Sequence, residues 1–333
     1  MSRGGQGPHE KRVVRGAVTE AVVERQARML ADRVRKTYAR WRRAFERDSV
    51  GAFRLYDRDI PEVRLVVDWY EGHVVVAEYE RAQTAAVPDW LRRMGQAVAT
   101  GLSIPSDHVH LKRRRTRPTA GPRYSRLGRR GQELVVREGP LRFVVNLDDH
   151  IDTGLFADHR ETRRMVRREA ADRRFLNLFG YTGSFSCAAA VAGAATTTVD
   201  LSPSYLAWAE RNFLLNEVDP GAHQFVAGDV GTFLREQHRA GRCWDVVVCD
   251  PPSFSTRGGP NGRWDVVRHH PWLIDLVLQV TVSGGVVIFS TNHQRFESRL
   301  HSLTVRECSE TTAKTVPPDF RNRGVHRTWR LVR

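Results

Sequence analysis

The sequence predicts an α/β fold with a mostly parallel sheet, joined to a smaller N-terminal α+β domain. After about residue 151, apolar runs alternate with helix-like segments, which is typical of parallel strands covered on both faces. Before that point, hairpin patterns around Glu71-Gly72 and Gly139-Pro140 indicate antiparallel strands instead. Ligands bind at the carboxyl ends of the strands in parallel sheets of this kind, so the candidate site is sought there.

The elements follow from their apolar periods. A long helix is predicted from about Thr19 to Glu46, where apolar residues recur on one side. The small domain then shows strands VRLVVDWY and HVVVAEYE, helix PDWLRRMGQAVATGL, strand HVHLKRRR and the hairpin LVVRE and LRFVVNL. The larger domain alternates strands RRFLNLFG, ATTTVDLS, HQFVAGD, WDVVVCDPP and GGVVIFST with helices FSCAAAVAG and SYLAWAERNFLLN.

These elements divide the 333 residues into four segments. Residues 1–16 are polar and basic without a period, which predicts a disordered tail. A basic amphipathic helix follows at residues 17–50. Residues 51–150 form the small α+β domain, and residues 151–333 form the larger domain that contains the parallel sheet.

The charge of the chain points to a polyanionic partner. Lys and Arg total 53 against 38 Asp and Glu, which gives a formal net charge of +15. A general preference for arginine could explain part of the excess, but residues 111–130 contain nine basic residues and no acidic one. Such a run favours contact with nucleic acid over a merely solvated face. The candidates for this contact are Lys112, Arg113, Arg114, Arg115, Arg117, Arg123 and Arg126.

Several classes of protein are disfavoured. No apolar run approaches the roughly 18–20 residues of a membrane span, and the basic N-terminus lacks the apolar region of a secretory signal. The cysteines are scattered without a CxxC pair, which argues against a disulfide framework and a zinc site. We therefore expect a cytoplasmic protein with no metal and no membrane partner.

Three strand ends of the larger domain carry candidate ligand-binding residues. The first strand ends in the turn NLFGYTG at residues 177–183, whose glycines allow close approach of the backbone to a ligand. Asp200 ends the second strand and can accept both hydroxyls of a ribose, or it could cap the next helix in place of Ser202. Asp229 ends the third strand and could meet an adenine amino group. Together they predict a nucleoside site.

A fourth strand ends in the motif Asp250-Pro251-Pro252-Ser253. Its paired prolines predict a rigid turn that holds Asp250 beside the reactive end of a cofactor. A dinucleotide dehydrogenase would share the first features, but it would show a fuller G-x-G-x-x-G and would not explain this motif. The motif resembles that of class I (Rossmann-like) methyltransferases, which implies S-adenosyl-L-methionine as cofactor and residues 151–333 as the methyltransferase domain.

Further stretches narrow the resemblance. They are DTGLFADHR at residues 152–160, FLNLFGYTGSFS, VDLSPSYLAWAERNFLLN, DPPSFS and KTVPPDFRNRGVHRTW. From about Val23 onwards the chain is similar to the RlmK family, the C-terminal half of the bifunctional bacterial enzyme RlmKL. The resemblance implies methylation of N7 of a guanine in 23S ribosomal RNA, on free RNA or on early large-subunit assembly particles.

The resemblance also implies roles for the residues that match the family. Asp158 and Arg160 would lie near the methionine end of the cofactor, Asp200 would hold the ribose and Asp229 the adenine. Asp250 would touch both cofactor and substrate. The other cofactor contacts implied are Asn177, Phe179, Gly180, Tyr181, Thr182, Gly183 and Leu201.

On the substrate side, Pro251 and Pro252 would shape the catalytic mouth with Asp250. Phe254 could stack on the target base or merely plug the loop. Arg268 could contact a phosphate, while Asp265 could start a helix.

Two alternatives stay open: a cytosine-C5 methyltransferase of 23S RNA, and a non-catalytic RNA-binding assembly factor on the same fold. In the bifunctional relatives an RNA-binding module precedes this region, so we expect the chain to recognise RNA through its own basic surface or a separate protein partner. The turn also has Gly180 where relatives often carry alanine. None of the four cysteines is well placed to attack a pyrimidine, which favours N7 over C5 chemistry.

Overall fold

The computed structural model describes residues 19–79, 82–85, 87–114, 128, 132–256, 259, 262–320 and 324–333. The side chains of residues 82, 83 and 114 are outside this description as well. The segment 1–16, predicted to be disordered, therefore lies outside the described residues. The same holds for Arg115, Arg117, Arg123 and Arg126 of the basic run.

A four-stranded α+β unit forms the first part of the chain, as predicted. Its elements are α1 (Glu20–Arg47), β1 (Ala52–Asp57), β2 (Leu65–Tyr70), β3 (His73–Tyr79), α2 (Ala82–Ala85), α3 (Trp90–Leu102) and β4 (Val109–Arg114). The strands lie in the order β1-β2-β3-β4, antiparallel except for the parallel pair β3–β4. Helices α1 and α3 share one hydrophobic core with this sheet.

Helix α1 forms because its apolar residues recur on one side. Val23, Leu30 and Val34 are buried against the sheet. Gln26 on the same side accepts a hydrogen bond from Trp90 Nε1 of α3 at 2.7 Å. The helix therefore lies inside the predicted segment 17–50, with its basic residues on the opposite side.

The turn between β2 and β3 confirms the predicted hairpin. Glu71 (φ 44°) and Gly72 (φ 95°) both adopt the left-handed conformation. This pair of values is typical of the two-residue turns whose twist matches that of antiparallel strands.

A second predicted hairpin is formed by β5 (Glu133–Glu138) and β6 (Leu141–Asn146). Val136 and Phe143 of this hairpin lie in the same hydrophobic cluster as Phe213 of the larger domain. The hairpin, which the predicted boundary at residue 150 assigned to the small domain, therefore packs with both parts of the chain.

The larger domain has the alternating strands and helices that the sequence predicts. A seven-stranded sheet has the order β14-β15-β13-β10-β7-β8-β9, with parallel pairing from β13 to β9 and antiparallel pairing at β15 and β14. The predicted mostly parallel sheet is thus confirmed. The elements are α4 (Arg160–Glu169), β7 (Arg174–Leu178), α5 (Ser184–Ala190), β8 (Ala195–Asp200), α6 (Pro203–Leu215), β9 (Gln224–Ala227), α7 (Val230–Arg239), β10 (Trp244–Cys249), β11 (Phe254–Ser255), β12 (Trp264–Asp265), α8 (Val266–Gln279), β13 (Thr281–Thr291), β14 (Glu307–Glu310), α9 (Thr312–Thr315) and β15 (Arg327–Val332).

A buried ion pair of the larger domain is hydrogen-bonded to strand β1 of the small domain. Arg160 at the start of α4 donates hydrogen bonds to Asp319 Oδ1 at 2.5 Å and to the carbonyl of Ala52 in β1 at 3.1 Å. Asp319 Oδ2 also accepts the backbone N–H of Arg54 at 3.0 Å. Because these groups are buried, their pairing fixes β1 against α4.

In the part of the chain that the structure describes, no helix has both the length and the apolar character needed to span a bilayer.

Candidate functional site

The turn after β7 has an unusual backbone. Phe179 (φ 58°), Tyr181 (φ 51°) and Gly183 (φ 71°) all lie in the left-handed region, which residues with a side chain rarely adopt. The N–H of Gly180 donates to the carbonyl of Val199 at 2.9 Å, so the turn is drawn against the end of β8. Conformations of this kind persist where the surroundings enforce them, and they are concentrated at ligand sites.

Gly180 allows this close approach because it lacks a side chain. A Cβ atom at this position would lie 2.4 Å from Cγ2 of Thr198, a fully buried residue of β8. Thr198 in turn is fixed by a hydrogen bond from its Oγ1 to Ser186 Oγ at 2.7 Å. Glycine at position 180 is therefore matched to threonine on the neighbouring strand.

We expect Gly180→Ala to lower the free energy of unfolding by about 1–3 kcal/mol, because the added methyl overpacks a rigid contact. The double change Gly180→Ala with Thr198→Ser should recover most of this loss, since serine lacks Cγ2 but keeps the hydroxyl. Denaturant unfolding of the three proteins measures both effects. A single variant as stable as the parent would show that the turn can move away from β8.

Asp200 lies directly beside this turn. Its Oδ2 accepts the N–H of Tyr181 at 2.9 Å, and its Oδ1 accepts the N–H of Ser202 at 2.8 Å. Burial raises the pKa of Asp200, and these two hydrogen bonds oppose that effect. The alternative role of helix cap is taken by Ser202, whose Oγ accepts the N–H of Tyr205 at 3.4 Å. The Asp200 carboxylate is thus oriented without serving the helix.

Exposed apolar side chains surround the turn and Asp200. Leu201 and Phe156 are 53% and 42% exposed. The Phe156 ring lies 5.3 Å from that of Tyr181, which in turn lies 4.6 Å from that of Tyr205. Sequence analysis included Leu201 and Tyr181 but missed Phe156 and Tyr205. The aromatic residue inside DTGLF was the available signal for Phe156.

Two other candidate residues, Asn177 and Thr182, hold the turn in place through hydrogen bonds. Asn177 is buried, and its amide donates to Ser186 Oγ at 2.9 Å. Thr182 Oγ1 donates to the carbonyl of Gly154 at 2.6 Å, which ties the turn to the DTGLF stretch. These contacts give both side chains a structural role in shaping the turn.

Asp229 follows β9 and caps α7. Its Oδ1 accepts hydrogen bonds from the N–H of Thr232 at 2.9 Å and from Thr232 Oγ1 at 3.1 Å. The second carboxylate oxygen has no hydrogen bond within the described residues, and the side chain is half-buried. One oxygen thus caps the helix, while the other has no hydrogen-bond partner within the described residues.

Asp250 follows β10. Together with Pro251 and Pro252 it forms the predicted catalytic mouth, which is termed the mouth here. Ser290 Oγ of β13 donates to Asp250 Oδ1 at 2.6 Å. Nε2 of His159 lies 3.7 Å from its Oδ2. Pro251 is buried, and Trp264 Nε1 donates to the carbonyl of Pro252 at 2.5 Å, which fixes the turn as the sequence predicts.

Two exposed residues, Phe254 and Arg268, follow the mouth along the chain and are termed the rim here. Phe254 is 51% exposed and pairs through its backbone with Asp265 in the two-stranded β11–β12 sheet. Asp265 caps α8 by accepting the N–H groups of Val267 and Arg268. The Arg268 guanidinium extends into solvent, with its Nε 3.9 Å from Asp265 Oδ2. The β11–β12 sheet and the start of α8, which follow Asp250 along the chain, therefore carry an exposed ring and an exposed cation.

Asp158, His159 and His326 form a cluster next to Asp250. Asp158 Oδ2 lies 3.0 Å from Nδ1 of His326, whose ring stacks on that of His159 at 4.1 Å. Their ligand atoms lie within 4.8 Å of one another, a spacing that a metal ion could bridge. Sequence spacing missed this group because His326 lies far along the chain, on the stretch before β15.

The charges of this cluster are set by its burial. Burial raises the pKa of Asp158. The nearby His159 and His326 together lower it by a larger amount, so the pKa of Asp158 lies below its ordinary value. Burial and the proximity of His326 lower the pKa of His159. At neutral pH the cluster therefore contains an ionised Asp158 and an uncharged His159.

Two sequence-based assignments need correction. Arg160 was expected at the methionine end of the cofactor, but its guanidinium is buried and bound to Asp319 at the domain junction. Lys112 was expected to bind RNA, but it is buried and its Nζ donates to the carbonyl of His150 at 2.6 Å. Arg113 is exposed, although its Nε lies 3.5 Å from Glu78 Oε2. For Arg114 only the backbone, at the end of β4, is described.

Comparison with known proteins identifies the family to which the chain belongs. Residues 52–309 match the S-adenosylmethionine-dependent methyltransferase family. Ribosomal RNA large subunit methyltransferase K of Neisseria meningitidis is 38% identical over 307 residues, which cover 90% of this chain and 86% of that protein. Ribosomal RNA large subunit methyltransferase K/L of Syntrophotalea carbinolica is 39% identical over 97% of this chain, which spans 46% of the relative's length.

The fold is also similar to that of solved structures. The crystal structure of SMU.776 complexed with SAH superposes with a TM-score of 0.73 at 22% identity, over 92% of this chain and 82% of that one. The donor set fits such a ligand, because an oriented carboxylate, a strained glycine turn and exposed apolar side chains meet at one sheet edge. The chain therefore belongs to the S-adenosylmethionine-dependent methyltransferase family, and S-adenosylmethionine is its cofactor.

Proposed function

We propose that this chain methylates RNA of the large ribosomal subunit, at N7 of a guanine in 23S ribosomal RNA. The observation that carries the proposal is the similarity to methyltransferase K of Neisseria meningitidis, which extends over 90% of this chain and 86% of that protein. A match of this extent covers the small domain as well as the methyltransferase domain. The choice of guanine N7 comes from the resemblance to the RlmK family together with the chemistry of the mouth.

We further propose how the cofactor lies. Asp200 would accept the ribose hydroxyls, while Phe156 and Leu201 would cover the adenine, whose amino group would donate to Asp229. The methionine end would reach the turn at residues 177–183 and approach Asp158. The bound cofactor supplies a methyl group on a positively charged sulfur.

The mouth suits methylation of a nitrogen that carries no proton. Guanine N7 offers a lone pair, so transfer needs in-line positioning and a polar wall rather than a base. Asp250 would provide that wall, since Ser290 holds its carboxylate in place. Its negative charge would favour the positive charge that develops on the purine.

The rim would receive the base. N7 faces the deep, narrow groove of an A-form helix, which side chains cannot enter, so the base must be splayed out first. Phe254 would stack on the displaced base, and Arg268 would contact a neighbouring phosphate. Free 23S RNA or early assembly particles should therefore be better substrates than intact large subunits.

The activity can be tested with purified protein, labelled S-adenosylmethionine and a 23S RNA transcript. Digestion to nucleosides and mass spectrometry should give 7-methylguanosine, with less product from mature subunits. Formation of 5-methylcytidine would replace the proposed reaction with C5 chemistry. Absence of product, together with intact cofactor binding and RNA binding, would favour the assembly-factor alternative.

We expect methyl transfer to be independent of cysteine. Burial raises the pKa of Cys187 to about 12 and that of Cys249 well above its ordinary value, so neither offers a thiolate. Cys308 lies at the outer strand β14, away from the mouth. A folded variant with all four cysteines changed to serine or alanine should keep its rate within about tenfold. A folded but inactive variant, or a covalent adduct with a fluorinated pyrimidine in RNA, would contradict the N7 proposal.

A further inference from the structure

Helix α1 carries three basic residues in line. Lys36, Arg40 and Arg43 are exposed and follow one another at steps of four and three residues, so they lie on one face of the helix. This face is opposite to the one that buries Leu30 and Val34 in the small domain. The three cations span about 10 Å along the helix axis.

These three cations, like Arg25 and Arg42 of the same helix, are exposed and have no carboxylate partner within the described residues. Lys36, Arg40 and Arg43 form no ion pair within the described residues, and the Arg40 guanidinium rests over the Trp41 ring at 5.0 Å. Each of four other arginines of the helix has a carboxylate partner. These pairs are Arg28–Glu24 at 3.9 Å, Arg33–Asp59 at 2.8 Å, Arg35–Asp32 at 2.6 Å and Arg47–Asp48 at 3.2 Å.

At the start of the basic run, fewer cations are available to RNA phosphates than the composition of the run suggests. Lys112 is occupied by backbone carbonyls inside the protein, and Arg113 lies beside Glu78. An RNA phosphate would therefore have to compete with existing partners at both positions. The exposed face of α1 presents its charges without such competition.

We infer that Lys36, Arg40 and Arg43, termed here the α1 stripe, bind the phosphate backbone of the RNA substrate. This inference rests on the proposed function, which makes RNA the substrate. Charge complementarity carries it: a row of unneutralised cations matches a row of phosphates and releases counterions when it binds. Contacts of this kind orient an RNA without reading its sequence, and sequence selection would stay with the mouth.

The contact between β1 and α4 fixes the position of helix α1 relative to the methyltransferase domain. Helix α1 packs on the sheet that contains β1, and β1 is fixed to α4 through Asp319 and Arg160. An RNA bound on the α1 stripe is thus held at a set position relative to Asp158 and Asp250.

The test compares two triple variants of the full chain. One changes Lys36, Arg40 and Arg43 to glutamine. The control changes three exposed arginines that already have carboxylate partners, Arg28, Arg35 and Arg92, and so removes the same charge. Affinity for a 23S RNA transcript, measured by fluorescence anisotropy over a range of salt concentrations, is the readout.

We expect the stripe variant to bind RNA about tenfold or more weakly, with the slope of log affinity against log salt reduced by about 2. The control should stay within about threefold of the parent, and both should bind S-adenosylmethionine normally. Equal weakening in both variants would show a general effect of net charge, and an unchanged stripe variant would show a solvated face. Either result overturns the inference alone, whereas a parent protein that does not bind RNA overturns the proposed function.

Discussion

Replacing Asp250 with alanine should slow methyl transfer by about a hundredfold or more. The carboxylate is the charged group nearest the reacting atoms in the proposed arrangement, and Ser290 holds it in place at 2.6 Å. Its loss removes an interaction that strengthens as the purine becomes positive, so the effect should fall mainly on kcat. Single-turnover transfer of labelled methyl to RNA, at saturating cofactor, measures it.

Two further variants define the cause of that loss. Asp245 lies on the same strand β10, but its carboxylate pairs with Arg174 at 2.9 Å at the opposite end. Asp245→Ala should therefore keep a rate within about threefold of the parent. Ser290→Ala should cause a smaller loss than Asp250→Ala, because it frees the carboxylate without removing it. A parental rate for a folded Asp250→Ala protein would remove Asp250 from the mechanism.

Replacing Asp200 with alanine should weaken S-adenosylmethionine binding by at least about tenfold. A carboxylate that accepts two hydroxyl groups typically contributes about 2–4 kcal/mol to binding. The change also removes the acceptor that holds the N–H of Tyr181, so the strained turn loses an anchor. Titration calorimetry with the cofactor gives the dissociation constant directly.

The control for this variant is Asp219→Ala, which removes an exposed carboxylate after α6 that accepts only a local N–H. Its cofactor affinity should be unchanged. Thermal unfolding of both variants separates a loss of binding from a loss of fold. If a folded Asp200→Ala protein bound the cofactor as the parent does, our placement of the ribose would be wrong.

Much of the fold could be predicted because local patterns and long-range packing agree. The apolar runs of β7 and β10 are buried on both faces, and buried parallel strands have that composition. The hairpin at Glu71-Gly72 carried a turn signal of its own. The outer strands β14 and β15 escaped prediction because their sequences, ECSE and RTWRLV, have little apolar alternation and pair only in the complete sheet.

The site was less predictable where a side chain's partner lies far along the chain. Arg160 was assigned by its place in a motif, yet its charge is neutralised by Asp319, 159 residues later. Lys112 belongs to a basic run, but strand β4 directs it inward to the carbonyl of His150. By contrast, Asp200 and Asp250 follow their strands immediately, so a rule about strand ends was sufficient to find them.

The position of Asp319 also has a consequence for the order in which the protein folds during synthesis. Arg54 and Arg160 leave the ribosome well before their shared partner Asp319, and at about 5–20 residues per second the wait after Arg160 is roughly 8–32 seconds. Until then the Arg160 guanidinium cannot be buried without an unpaired charge, which costs several kcal/mol. His326 of the mouth appears later still. The nascent chain can therefore form its separate cores early, but the two domains can be fixed together around a complete mouth only after Asp319 and His326 have emerged.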